Sequence, residues 1–170
     1  MIKIILFLFA FLFIFGCTPK MDKVYAIQTQ KSKRTAEISI IRNYNFSGSA
    51  IRIYPTVNDR KVAGLYTKDY IRFYVEEGKY IFGLTYPNVI LGKWVKEKGI
   101  KKFVKANHQY YFLISPTLLG MEIEEINKTD GEKRISSSTY VETGKLSDKP
   151  DLIAKTIKPL ADAVGLKEEK

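Results

Sequence analysis

Apolar and polar side chains alternate over short stretches along most of the chain, a pattern typical of strands with one buried face. The clearest case runs from Ile71 to Val75, and a second alternating run follows from Tyr80 to Leu84. Glu76-Glu77-Gly78 lies between them, and a glycine-containing turn between two alternating runs favours a β-hairpin. We therefore predict a hairpin here, with Phe73 and Phe82 facing the core.

Further stretches between residues 36 and 126 also have strand character. They are Ala36 to Ile40, Ile51 to Tyr54, Ile100 to Lys105 and Met121 to Ile126. Tyr110 to Ile114 is apolar on both faces, which predicts a central strand with Phe112 in the core. With about seven or eight short strands, the chain is predicted to be mainly β, an antiparallel β-sandwich or a barrel-like domain.

Near the end of the chain, the spacing of the apolar residues changes from that of a strand to that of a helix. Its apolar residues fall on one helical stripe, formed by Leu152, Ile153, Ile157, Leu160, Ala161 and Val164. Pro159 lacks the amide hydrogen that a continuous helix needs, so we expect a kink there or two short helices. This pattern predicts one C-terminal helix packed on the β-domain; a helix that lies on a membrane or binds a partner is the alternative. Lys128 to Ser138 is polar and is predicted to be a flexible segment with a turn at Asp130-Gly131.

The start of the chain has the pattern of a secretory signal. Lys3 precedes an unbroken apolar run from Ile4 to Phe15, which is shorter than the roughly 20 residues of a membrane-spanning helix. The sequence Ile14-Phe15-Gly16-Cys17 resembles the lipobox of bacterial lipoproteins. The resemblance implies cleavage before Cys17, attachment of a diacylglycerol to its thiol and acylation of the new amino terminus. A plain hydrophobic anchor with an incidental cysteine is the alternative.

These patterns divide the chain into four predicted parts. Residues 1–16 are a lipoprotein signal peptide, 17–34 a lipidated tether, 35–146 the β-sandwich domain, and 147–170 the C-terminal helix and tail. Within the tether, Val24 to Ile27 could dock as a short edge strand. In many lipoproteins an aspartate after the cysteine retains the protein in the inner membrane, and Thr18 stands there instead. The resemblance therefore implies a bacterial cell-envelope protein held in the outer membrane by its lipid and facing the periplasm.

Three turn-and-strand motifs lie in the predicted β-domain. They are Val57-Asn58-Asp59-Arg60-Lys61-Val62-Ala63-Gly64-Leu65, Val75-Glu76-Glu77-Gly78-Lys79-Tyr80 and Ala106-Asn107-His108-Gln109-Tyr110-Tyr111-Phe112. Together they resemble a family of small bacterial lipoproteins known as domain of unknown function 2846. The resemblance implies an all-β, prealbumin-like or related sandwich and brings no catalytic residues. The chain departs from the family pattern at Asp59, where a glycine is expected, and at Ala106-Asn107-His108, which replaces a tighter glycine turn.

The chain is basic, with a formal net charge of +10 that falls by one when Lys3 leaves with the signal. Because an exported lipoprotein meets no cytoplasmic nucleic acid, an envelope protein, anionic lipid or a cell-wall polymer is the expected partner. The predicted contact surface combines basic side chains with an aromatic anchor. It consists of Lys93, Trp94, Lys96, Lys101 and Lys102. A solvated strand face, whose lysines prevent edge-to-edge association, is the alternative.

A second binding hypothesis rests on the tyrosines. Those around the central strands are Tyr54, Tyr66, Tyr70, Tyr74, Tyr80 and Tyr86. Because amphipathic tyrosines are enriched at recognition surfaces, a tyrosine-lined surface that binds a small ligand or glycan is an alternative function.

Residues for catalysis are sparse. Cys17 is the only cysteine and His108 the only histidine, so a zinc set or a nucleophile with its base cannot be assembled from these residue types. The carboxylate groups are Glu76-Glu77, at the predicted turn, and Glu122, Glu124 and Glu125 on one strand. We therefore predict a non-catalytic protein with no cofactor and no metal; a hydrolase that uses these carboxylates is the least favoured reading.

Overall fold

The computed structural model describes residues 23–43, 51–88, 93–118 and 120–148. These residues form strands β1 to β10 and one helix, α1. In chain order they are β1 (Thr35–Arg42), β2 (Tyr54–Val57), β3 (Arg60–Lys61), β4 (Asp69–Glu76), β5 (Gly78–Asn88), β6 (Lys93–Lys96), β7 (Ile100–Val104), β8 (Gln109–Pro116), β9 (Met121–Ile126), α1 (Lys128–Ile135) and β10 (Thr139–Tyr140).

The strands form two five-stranded sheets. Sheet I has the order β10-β4-β1-β8-β9, and sheet II has the order β3-β2-β5-β6, with β7 also paired to β5. The prediction of a mainly β fold, a sandwich of two sheets, is confirmed. Most neighbours are antiparallel, but β1 runs parallel to β8 and β10 runs parallel to β4. The wholly antiparallel arrangement expected from the sequence therefore has two exceptions, both in sheet I.

The predicted hairpin between β4 and β5 is wrong. β4 pairs with β1, whereas β5 pairs with β2, β6 and β7, so Glu77 connects one sheet to the other. Gly78 does not have the left-handed φ of a hairpin glycine and belongs to β5 itself. The two alternating runs look like hairpin partners because each buries one face, but they bury those faces from opposite sides of the same core.

The core lies between the two sheets. Phe82 of sheet II and Phe112 of sheet I meet there with their ring centroids 4.6 Å apart, and both side chains are fully buried. Phe73 is 4% exposed, so the predicted inward direction of all three phenylalanines is confirmed. Residues of β8 are buried on both faces, because α1 covers the outer face of sheet I. This agrees with the prediction that Tyr110 to Ile114 is a central strand.

The helix occurs where a flexible polar segment was predicted. α1 begins after Asn127, whose side chain accepts a hydrogen bond from the Asp130 amide at 2.9 Å, which is the pattern of an N-cap. Gly131 is its buried residue and faces Tyr111. Sequence periodicity does not reveal such a helix, since it has no apolar stripe. The predicted C-terminal helix lies outside the described residues, as do the predicted signal peptide and Cys17.

Two extended segments close one side of the sandwich. Residues 139–147 join the sheets: β10 pairs with β4 of sheet I, and the Gly144 amide donates to the Val62 carbonyl beside sheet II at 2.7 Å. The N-terminal segment packs nearby without forming a strand. Its Tyr25 amide donates to the carbonyl of Lys61 on β3 at 2.8 Å, and its Ile27 amide donates to the Thr143 hydroxyl at 3.1 Å.

Candidate functional site

The outer face of sheet II carries a basic and aromatic surface. Directly opposed residues of antiparallel strands point to the same face of a sheet. On β5 and its neighbours β6 and β7, the side that faces away from the buried Phe82 holds Lys79, Ile81, Trp94, Lys96, Lys101 and Phe103. We call these six residues the outer face of sheet II.

Trp94, Lys96 and Lys101 of the predicted contact surface therefore lie together. Lys93 and Lys102 belong to the other side of their strands, although Lys102 still lines a groove beside Phe103. Lys93 is exposed, but it precedes Trp94 in β6 and points to the other side of the strand. Because strand side chains alternate, a run of neighbouring lysines is divided between two faces.

Lys102 belongs to the contact between the two sheets. Its ammonium donates to both carboxylate oxygens of Glu125 on β9, at 2.9 and 2.7 Å. The same nitrogen lies 5.3 Å from the ring centroid of Tyr110 on β8. With about a third of its side chain exposed, Lys102 bridges sheet II to sheet I at the edge of the core. This position leaves it little freedom to contact a partner.

Trp94 is held in place by two side chains. Its ring packs against the edge of Tyr54 on β2, with centroids 5.4 Å apart and planes at 70°. The ammonium of Lys61 lies 3.9 Å from the Trp94 ring centroid and 5.1 Å from that of Tyr54. A cation over an aromatic face is attracted by the ring electrons, so Lys61 adds positive charge to this end of the face.

The other end of the face is an exposed phenylalanine between lysines. Phe103 is 49% exposed, and Lys79 and Lys101 beside it are also exposed. These three residues line a surface groove of about 460 Å³ together with Asn58, Tyr80, Ile81 and Lys102. Lys79 was missed in the sequence because it lies on β5, far along the chain from the other lysines. Only the pairing of β5 with β7 brings it beside Phe103.

The lysines of this face differ in their surroundings. Lys96 forms an ion pair with Asp59 at 2.9 Å, with both side chains more than half exposed. Such an exposed pair contributes little free energy and is readily exchanged for another anion. The outer face of sheet II thus offers exposed ammonium groups around aromatic side chains.

The tyrosines are distributed over several surfaces. Tyr54 of β2 packs against Trp94 beside the outer face of sheet II, whereas Tyr70 and Tyr74 lie on the outer face of sheet I. Tyr86 is buried, and its hydroxyl donates to Glu97 at 2.7 Å. Burial, together with the hydrogen bond to Glu97, raises the pKa of Tyr86 to about 12. This tyrosine is therefore a neutral hydrogen-bond donor of the interior.

A polar groove of about 390 Å³ surrounds Glu37 on the outer face of sheet I. The Glu37 carboxylate accepts a hydrogen bond from the Tyr74 hydroxyl at 3.1 Å and from the Gln109 amide at 3.3 Å, and Arg72 Nε lies 3.3 Å away. Burial and the neighbouring Glu37 raise the pKa of Tyr74. Both Glu37 oxygens are thus engaged within the protein.

The remaining candidates for catalysis contact the backbone or are exposed. His108 lines the same groove as Glu37 and is exposed at a turn, with Nδ1 2.9 Å from the carbonyl oxygen of Ala106. Glu77 accepts a hydrogen bond from the Ala106 amide at 2.9 Å, while Glu122 and Glu124 are exposed on β9. Within the described part of the chain, no three histidine, cysteine, aspartate or glutamate residues are grouped so that they could hold a metal ion.

Comparison with protein-family models, with curated proteins and with solved structures finds no match for this chain. In the four described ranges, no helix has both the length and the apolar character needed to cross a membrane.

Proposed function

We propose that this protein is a bacterial envelope lipoprotein, anchored by lipid on Cys17, whose β-sandwich domain is a non-catalytic binding module. Its partner is an envelope protein or an anionic envelope component, and neither nucleic acid nor a cofactor takes part. By its resemblance to lipoproteins with a residue other than aspartate after the cysteine, it resides in the outer membrane and faces the periplasm. The observation that carries the proposal is the lone Cys17, directly after a short apolar run and a glycine.

The binding role is supported by the outer face of sheet II. Exposed lysines and aromatic side chains lie together there. The carboxylates of Glu37, Glu77 and Glu125 are instead bonded within the protein. A catalytic site needs a titratable group held in a cleft by a second group, close to where a substrate would react. Binding by contact requires only the surface that the described residues supply.

Metabolic labelling tests the lipid anchor. Cells that express the full chain are grown with labelled palmitate, and the parent is compared with Cys17→Ser. We expect label in the parent alone and release of the variant from the membrane fraction, because acyl chains provide about 0.8 kcal/mol per buried methylene. Equal labelling of the two chains would show that Cys17 is not the acceptor.

A further inference from the structure

We infer that the outer face of sheet II is a docking surface for an anionic lipid bilayer, so that the domain lies flat on the membrane that carries its anchor. The inference rests on the proposed function in that it takes Cys17 as the point of attachment. It goes further in naming the face of the domain and the chemistry of its partner.

The outer face of sheet II combines apolar side chains with lysines. Phe103 and Ile81 present apolar surface between the ammonium groups of Lys79 and Lys101, and Trp94 lies beside Lys61 and Lys96 at the other end. Apolar and aromatic side chains enter the boundary between headgroups and acyl chains, and lysines next to them contact anionic headgroups. Both kinds of contact are available here on one sheet face.

The chain enters the domain beside the outer face of sheet II. The Tyr25 amide is bonded to the carbonyl of Lys61, and the side chain of Lys61 reaches the ring of Trp94. Tyr25 is eight residues after Cys17, a separation that a polypeptide spans by at most about 28 Å. A lipid on Cys17 therefore keeps the β3 side of sheet II near the bilayer.

Charge is distributed unequally over the two faces. The opposite side of the sandwich, the outer face of sheet I, is covered by α1 and carries exposed Glu122, Glu124 and Glu132 together with Lys128 and Lys133, so its charge is mixed. Carboxylates are repelled from an anionic surface, whereas the lysines of sheet II are attracted to it. The two faces thus favour one orientation, with sheet II towards the lipid.

Vesicle binding tests this surface without the lipid anchor. The probe is the chain from residue 17 onward with Cys17→Ser, mixed at low salt with vesicles of phosphatidylcholine alone or with added phosphatidylglycerol. Trp94 is the only tryptophan of the chain and lies on the proposed face, so its fluorescence reports the contact. We expect binding to the phosphatidylglycerol vesicles only, with a blue shift of Trp94 and quenching by brominated lipid.

Matched variants test the location. Lys79, Lys96 and Lys101 are changed together to Gln, and in a control Lys31, Lys128 and Lys133 are changed to Gln, which removes the same charge from the side of sheet I. Since a lysine close to an anionic surface contributes roughly fivefold to partitioning, we expect the first variant to bind about 10 to 100 times more weakly. The control should lose less than about threefold when the comparison is made at about 0.1 M salt, where the screening length is about 10 Å and the far side of the domain is screened from the bilayer. Phe103→Ser, added to the first variant, should weaken vesicle binding further. It should also lessen the quenching of Trp94 by brominated lipid.

Several outcomes would overturn the inference. They are equal loss of binding in the two lysine variants, binding without quenching of Trp94, and no binding to phosphatidylglycerol vesicles. If the fluorescence of Trp94 does not respond to vesicles but changes with protein concentration, the outer face of sheet II binds a second copy of the chain instead of a bilayer. Because the probe lacks the Cys17 thiol, these results are independent of palmitate labelling. Failure of vesicle binding with successful labelling would refute the docking surface alone.

Discussion

Gly131 of α1 lies directly against the ring of Tyr111 on β8, so that a methyl group at position 131 would overlap Cγ and Cδ1 of that ring. Tyr111 is 2% exposed and is the centre of a small apolar cluster on the outer face of sheet I. Since Gly131 is the buried residue of the helix, the distance between α1 and the sheet is set by the absence of a side chain at this one position.

Gly131→Ala should destabilise the protein despite the better helix propensity of alanine. Alanine in a helix is favoured over glycine by about 1 kcal/mol, but overpacking a tight contact costs about 1–3 kcal/mol. We expect the free energy of unfolding in urea to fall by up to about 2 kcal/mol, the difference between the two effects. Lys133→Ala, at an exposed position of the same helix, is the control and should change it by less than about 0.5 kcal/mol. A stabilised Gly131→Ala would mean that the helix moves away from Tyr111 at no cost.

The turn between β2 and β3 gives a second prediction. Asn58 and Asp59 have φ values of 47° and 65°, and the turn is fastened to β5 by the hydrogen bond from the Ile81 amide to Asn58 Oδ1 at 2.9 Å. A left-handed φ costs an ordinary residue about 1–2 kcal/mol, which glycine avoids. Asp59→Gly should therefore be more stable than Asp59→Ala by about 1 kcal/mol in urea unfolding. Both variants remove the ion pair with Lys96, so the difference in their free energies of unfolding reports the backbone conformation alone. Equal stability of the two variants would contradict a cost from the left-handed φ.

The buried Tyr86 predicts how the stability of the protein depends on pH. Burial and the bond to Glu97 raise the pKa of Tyr86 to about 12, whereas an unfolded tyrosine titrates near 10. Between these values the unfolded chain releases the Tyr86 proton and the folded chain retains it. The stabilisation is thus complete below about pH 10 and is lost as the pH rises towards 12.

Tyr86→Phe should remove the part of the stability loss at high pH that comes from the Tyr86 phenol. At neutral pH the variant is expected to be less stable by about 1 kcal/mol, because Glu97 loses its hydrogen-bond donor. Between about pH 9 and pH 12 its free energy of unfolding should fall by about 1–3 kcal/mol less than that of the parent. Urea unfolding curves at several pH values measure both effects. Parallel decline of the two proteins would show that the Tyr86 phenol does not titrate in this range.

Sequence patterns located most strands but not their partners. Met121 to Ile126 was predicted with the bounds that β9 has, and the strand at Tyr110 to Ile114 is central as expected. Alternation failed for β4 and β5 because it reports that one face is buried, and both sheets of a sandwich satisfy this equally. Pairing depends on contacts between distant residues, which no local pattern contains.

Because strand pairing cannot be read from local patterns, the candidate surface was only partly predicted. The sequence shows that lysines cluster around Trp94. It does not show that side-chain alternation along β6 and β7 places Lys93 and Lys102 on the inner side of sheet II. Lys79 joins the face through strand pairing alone. The helix α1 was missed because it is polar and buries only a glycine; its local signals are the Asn127 cap, Asp130 in the first turn and the basic Lys133 and Arg134 in the last.

The parallel pairing of β1 with β8 has a consequence for the rate of folding. Glu37 lies opposite Gln109, 72 residues later in the chain, and β1 occupies the middle of its sheet. Closing so long a loop costs entropy before any contact repays it, and folds dominated by such distant pairings form in about milliseconds to seconds. Sheet I therefore cannot be completed until β8 has been made. Before then β1 can pair with β4 alone, and its other edge stays open.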